Sequence, residues 1–263
     1  MRSSVVDLRL AANVENGVLF GGSDLAATGN DLANTLTGNA GANMLAGGAG
    51  DDTLVGGAGD DTLLGGSGDD LLNGGNGFDI ASYADAAGAV TVDLRPATST
   101  ATGGAGSDRL VSIEGIIGSV FGDALTGNAG DNDLDGGAGS DTLTGGAGAD
   151  RLTGGSGADL FVLAATGDSK IGAADVILDF SGAAGDGDRI SLAAIDADGR
   201  PGNGDSAFSW IGTASFAHIR GQLRVIDSGA ASRVEGDING DGIADFAIIV
   251  SGAVVLTAAD FVL

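Results

Sequence analysis

At 263 residues the chain is long enough for one large domain or two modest ones. Its 51 glycines against 2 prolines exclude an ordinary helical protein, and the glycines lack the strict period of three that collagen requires. With 36 acids against 11 bases the formal charge is −25, which argues against nucleic acid and anionic membranes as partners and for cations.

Of the acids, 33 are Asp and only Glu15, Glu114 and Glu235 are Glu. Asp is the shorter acid, suited to tight turns and to chelation by a loop. Cysteine is absent, so neither a disulfide framework nor a thiolate metal site is available. The opening MRSSVVDLRLAANVENG carries no apolar run of signal-peptide length. The most apolar late stretch, 246–256, is short for a bilayer and flanked by Asp245 and Asp260, so buried strands and no membrane span are expected.

After a flank at 1–28, six nonapeptides run from Gly29 to Ser82, among them GGAGDDTLV, GGAGDDTLL and GGSGDDLLN. An irregular bridge at 83–117 holds one further copy, GGAGSDRLV, and five more run from Gly118 to Val162. Position 6 of the repeat is Asp or Asn throughout, and position 8 is almost always Leu. Positions 7–9 alternate polar, apolar, polar, a minimal strand with one side chain inward. The glycines among positions 1–6 permit positive φ and close approach, which makes a turn. Repeated, turn and strand form a solenoid: two repeats per coil, parallel strands on two sheets, a core of two leucine rows.

A buried leucine contributes about 1.5–3 kcal/mol. Ordering nine residues costs roughly 1–2 kcal/mol per residue. Leucine alone cannot offset that, and stacked position-6 carboxylates repel, so a cation is required between them. Hard oxygen donors on tight glycine turns suit Ca²⁺, whereas a single His and no Cys disfavour zinc.

The phrase GGxGxDxUx, with U apolar, is a signature of RTX proteins. Twelve copies make the chain resemble the RTX calcium-binding family, which implies an all-β, right-handed parallel β-roll with a C-terminal β cap. In that family an ion lies between turns two repeats apart, held by carbonyls and by both position-6 acids. Carried over, the resemblance implies one site from Gly48, Gly50 and Asp52 with Gly65, Ser67 and Asp70. A second would use Gly57, Gly59 and Asp61 with Gly74, Asn76 and Asp79, and a third Gly137, Gly139 and Asp141 with Gly154, Ser156 and Asp159. Asp123 would share an ion with Gly136, Ala138 and Asp141; Gly145, Ala147 and Asp150 would face the weaker Asn132 turn. Asp108 is the position-6 acid of the bridge repeat.

Residues 163–263 resemble the C-terminal part of serralysin-type proteases through GAADVILDF, DGDRISLAAIDAD and LTAADFVL. That resemblance implies a cap on the roll, a signal read by a type I exporter, and a further calcium at Asp179 and Asp188. The terminal Asp260-Phe261-Val262-Leu263 is expected to be removable without loss of folding. Neither H-E-x-x-H nor G-x-S-x-G is present, so no protease or lipase activity carries over. DINGDGIAD at 237–245 matches half of an EF-hand loop but has Ile248 where the bidentate Glu belongs, so a turn is expected.

The expectation is a secreted, extracellular, non-enzymatic module that folds on Ca²⁺ after type I secretion. Two alternatives stay open: the C-terminal carrier part of a secreted protease, lipase or alginate epimerase, or a structural or adhesive surface protein.

Overall fold

The computed structural model describes residues 2–3, 7–96, 99–183, 185–200, 206–252 and 254–263. Parts of the expected N-terminal flank, bridge and C-terminal region therefore lie outside the described residues. The chain divides into two compact units, 1–125 and 126–263. The regular elements of both are almost all β-strands, most of them paired in parallel, and no described helix is long and apolar enough to cross a membrane.

In the first unit consecutive strands alternate between two sheets. One takes Asn16–Leu19, Thr35–Thr37, Thr53–Ala58 and Leu71–Asn76; the other takes Ala26–Thr28, Met44–Ala49, Thr62–Ser67 and Ile80–Ser82. Neighbours within a sheet are parallel and two repeats apart, so Leu36, Leu54 and Leu72 stack in one row and Leu45 and Leu63 in the other. All five are fully buried, a dry core one side chain deep from each sheet. This is a parallel β-roll.

Two features depart from the sequence reading. Strands at 53–58, 62–67 and 71–76 run six residues, through positions 1–3 of the following repeat, because Gly48 and Gly57 pair with Gly66 and Gly75. The bridge also continues the roll. Val90–Asp93, Ser99–Gly103 and Gly106–Val111 form an antiparallel meander whose last strand lies parallel on Leu71–Asn73 and sets Leu110 over Leu72.

In the second unit, Thr142–Thr144, Leu160–Val162, Arg189–Ser191 and Phe261–Val262 form one parallel row. Asp133–Asp135, Arg151–Thr153, Asp175–Ile177 and Phe246–Ser251 form another, extended by the antiparallel strands Ala231–Asp237 and Gln222–Asp227. The leucine row passes into larger side chains here: Leu143 is followed by Phe161 and Ile190, and Leu152 by Ile177. The C-terminal tetrapeptide is part of this packing. Phe261 is buried, pairs with Ile190 and lies 5.0 Å from the Trp210 ring.

Candidate metal centre

In GGAGDDTLV, GGAGDDTLL and GGSGDDLLN the position-6 acids Asp52, Asp61 and Asp70 are buried and the position-5 acids Asp51, Asp60 and Asp69 are exposed. Gly48 and Gly50 have φ of 116° and 98°, which turn the backbone sharply enough to bring Asp52 inward, and L side chains rarely adopt such angles. At Gly47 a Cβ would collide with the Asp52 carboxylate and would stand 2.6 Å from the Gly65 carbonyl oxygen. Glycine at position 1 therefore keeps open a cradle in which a carboxylate and a carbonyl from the turn two repeats on converge. Gly56 does the same for Asp61 and Gly74, and Gly136 for Asp141 and Gly154.

In the regular turns the two oxygens of the inner acid have different fates. Oδ1 accepts the N–H of the acid or amide two repeats earlier: Asn34 gives to Asp52 at 2.6 Å, Asp52 to Asp70 at 2.7 Å and Asp70 to Asp108 at 3.0 Å. The alternate turns form a second column, with Asn43 giving to Asp61 at 2.7 Å and Asp61 to Asp79 at 2.8 Å. Oδ2 of Asp52, Asp61, Asp70, Asp79, Asp150 and Asp159 is buried and has no hydrogen-bond partner. A bare buried carboxylate oxygen costs free energy that a proton, a cation or a hydrogen-bond donor removes. Burial accordingly pushes Asp52, Asp61 and Asp150 up to about 6 and Asp70 up to about 7, against backbone N–H bonds that pull the other way.

The outer acids form a second ladder that runs in the opposite direction. Asp51 Oδ1 accepts the N–H of Asp69 at 3.0 Å, and Asp60 Oδ1 that of Phe78 at 2.9 Å. The Asp doublet of the repeat thus divides its work between a buried column and an exposed one.

Where position 6 is Asn, the turn is closed by its own amides. Asn34 Oδ1 accepts Asn30 N–H at 2.7 Å, and Asn30 Nδ2 donates to the Ala11 and Val14 carbonyls, both at 2.9 Å. Asn43 with Asn39, and Asn132 with Asn128, repeat the first of these bonds. Neutral amide N–H groups fill the place that needs positive charge in the Asp turns.

The turns of the first expected set stand together through Gly50 N–H to Ser67 O at 2.8 Å, and those of the second through Gly59 N–H to Asn76 O at 2.9 Å. The third set is joined by Gly139 N–H to Ser156 O at 2.8 Å and Asp141 N–H to Asp159 Oδ1 at 2.9 Å. Ala147 N–H reaches Asn128 O, and Asn132 N–H reaches Asp150 Oδ1. Asp123 lies in the first unit, where Val90 N–H and the Ser119 hydroxyl donate to its Oδ1 and Ser119 N–H to its Oδ2. Asp108 has the buried Tyr83 phenol beside it; burial, and after it the Asp108 charge, raises the phenol's pKa.

Asp179 is exposed, with its two oxygens on the N–H groups of Gly154 and Gly155. Asp188 is buried and accepts from Asp159 N–H at 3.0 Å and Ser181 N–H at 2.7 Å, so it continues a column. Asp175 continues the other by accepting Asp150 N–H at 3.1 Å. Sequence reasoning passed over Asp175 because no glycine phrase precedes it. In 237–245, Asp237 and Asp245 spend their oxygens on N–H groups of the loop itself, between two antiparallel strands and without helices.

The donor set is all hard oxygen, carboxylate and carbonyl, and fits Ca²⁺. Among the described residues no three His, Cys, Asp or Glu side chains form a group that could hold a metal ion by themselves.

An all-β roll with columns of buried aspartates and backbone carbonyls defines a cation-binding solenoid. The family model described as RTX calcium-binding nonapeptide repeat (4 copies) matches residues 28–63, 46–81 and 126–161, and the chain carries RTX calcium-binding repeats there. A search of curated proteins gave no match. Among solved structures, the chain is similar to the AlgE6R3 subunit of the Azotobacter vinelandii mannuronan C5-epimerase, at 28% identity over 56% of this chain and 76% of that one, TM-score 0.40. It is also similar to the AlgE6R2 subunit of the same enzyme, at 20% identity over 89% and 90%, TM-score 0.34.

Proposed function

We propose that the chain is a non-enzymatic, extracellular calcium-binding module, exported by a type I system and folded by Ca²⁺ outside the cell. The observation that carries this is the row of buried Asp Oδ2 atoms without partners, each beside a glycine that leaves room for an ion. Bound Ca²⁺ supplies the positive charge that those oxygens lack. The protein's own part is to hold paired carboxylates and carbonyls in register through the Oδ1 to N–H bonds of each column. Residues 163–263 would cap the second block and carry the export signal.

At low Ca²⁺ the charge of −25 and the bare carboxylates favour an open chain. At ~10⁻⁴–10⁻³ M, the range of extracellular modules, binding and folding would be one event. Far-UV circular dichroism in EGTA and then in excess CaCl₂ tests this. A β signal that appears only with calcium is expected; a full β signal in EGTA at neutral pH would overturn it.

A further inference from the structure

The second column of the first unit does not stop where the nonapeptides stop. Asp79 N–H donates to Glu114 Oε2 at 3.0 Å, as Asp61 N–H donates to Asp79 Oδ1 at 2.8 Å. Strand register fixes the equivalence. Gly115 pairs with Ile80, which pairs with Thr62, so Gly115 stands at position 7 and Glu114 at position 6. Ile116, at position 8, is buried like the leucines. Val111 pairs with Asn73 and stands at position 9 of the preceding repeat.

An ordinary repeat puts five residues between position 9 and position 6. Here there are two, Ser112 and Ile113. Ser112 makes the shortened turn in a left-handed conformation, φ 50°, unusual for a residue other than glycine. Its carbonyl oxygen lies beside Gly74 together with Asp79 Oδ2. That is the arrangement of the Gly74 carbonyl and Asp61 Oδ2 beside Gly56. Asp79 is fully buried and its Oδ2 has no partner.

We propose that Asp79, Glu114 and the Ser112 carbonyl, with the carbonyls of Gly75 and Gly77 on the Asp79 turn, form a terminal Ca²⁺ site. In it a longer acid spans a turn that is three residues short. This rests on the calcium reading above. Ca²⁺ tolerates the irregular, partly hydrated coordination that follows from losing the position-3 carbonyl, where Mg²⁺ would not. Burial raises the pKa of both acids, and the Asp79 charge raises that of Glu114 further. The competing role is purely structural, with Glu114 present only to accept the Asp79 N–H.

Counting Ca²⁺ per folded full-length chain by native mass spectrometry in saturating calcium separates the two. Glu114→Gln keeps an acceptor for the N–H but loses the charge, and is expected to bind one ion fewer than the wild type. Glu114→Asp restores the acid usual at position 6 but draws it back by a methylene, and is also expected to lose one ion. Asp79→Asn should lose two, since Asp79 would serve the site with Asp61 and the site with Glu114. If the Gln variant stays unfolded, the Asp79→Asn count decides. A wild-type count in both Glu114 variants, or loss of only one ion in Asp79→Asn, overturns the terminal site. A wild type that binds no calcium overturns the calcium reading itself.

Discussion

Protons should partly replace cations in folding the first unit. Without an ion, burial holds Asp52 and Asp61 up to about 6, and Asp70, which also faces Asp108 and Asp52, up to about 7, against 3.8 for a free side chain. A folded-state pKa above the unfolded one means that the folded chain binds more protons between about pH 4 and 7. Its stability therefore falls as pH rises through that window and returns as pH drops. A rise from 3.8 to about 6 corresponds to roughly 3 kcal/mol at neutral pH. Water around the turns screens this to about 1–2 kcal/mol per residue. Asp52, Asp61 and Asp70 together then oppose folding at pH 7 by about 3–6 kcal/mol, comparable to the whole stability of a small domain, ~5–15 kcal/mol. The assay is far-UV circular dichroism of calcium-stripped protein from pH 7.5 to pH 5, above the sequence pI of about 4.1. The β signal should grow as pH falls. No more β structure at pH 5 than at pH 7.5 would refute desolvated carboxylates as the obstacle to ion-free folding.

Two further outcomes are expected. Leu63→Ala, at a fully buried site between Leu45 and Ala81, should cost about 2–5 kcal/mol and raise the calcium midpoint in a circular dichroism titration. Removing residues 260–263 should weaken the second unit, because it strips the strand on Ile190, the acceptor of Arg189 Nη2 and the Asp260 contacts to Ala183 and Thr257. Trp210 is the sole tryptophan and faces Phe261, so its fluorescence reports the loss directly; unchanged emission and calcium midpoint would contradict it.

The roll itself was legible because its period is written in side chains with one job each. Leu54 and Leu63 mark the core, Asp52 and Asp61 the inner turn, and the positive φ of Gly48 and Gly50 leaves no other residue type comfortable. Two of the column continuations were not legible, since Glu114 and Asp175 reach their places by strand register rather than by a local phrase, whereas Asp188 was named from the family resemblance. Glu114 in particular sits in SIEGII, where three residues are missing and no glycine pair announces a turn. The terminal tetrapeptide was expected to be dispensable for folding. Its pairing partner Ile190 lies far upstream, and sequence pattern alone carries no information on such a contact.

The columns keep their bonds across very different lengths of intervening chain. Interior turns find their acceptor 18 residues on, while Asp70 finds Asp108 after 38 and Asp79 finds Glu114 after 35. In the second unit Asp150 reaches Asp175 after 25, and Asp159 reaches Asp188 after 29. Doubling the length of a connecting segment costs only about 0.6 kcal/mol in closure entropy. Extra chain can therefore leave the stack between two rungs and rejoin it with the ladder intact, as the meander from Val90 to Val111 does. An added pair of repeats would restore the alternation of sheets, whereas a single added repeat would exchange the two sheets for every turn after it. Such a scaffold can lengthen by whole coils and acquire loops at its rungs, and its excursions are natural places to graft foreign segments.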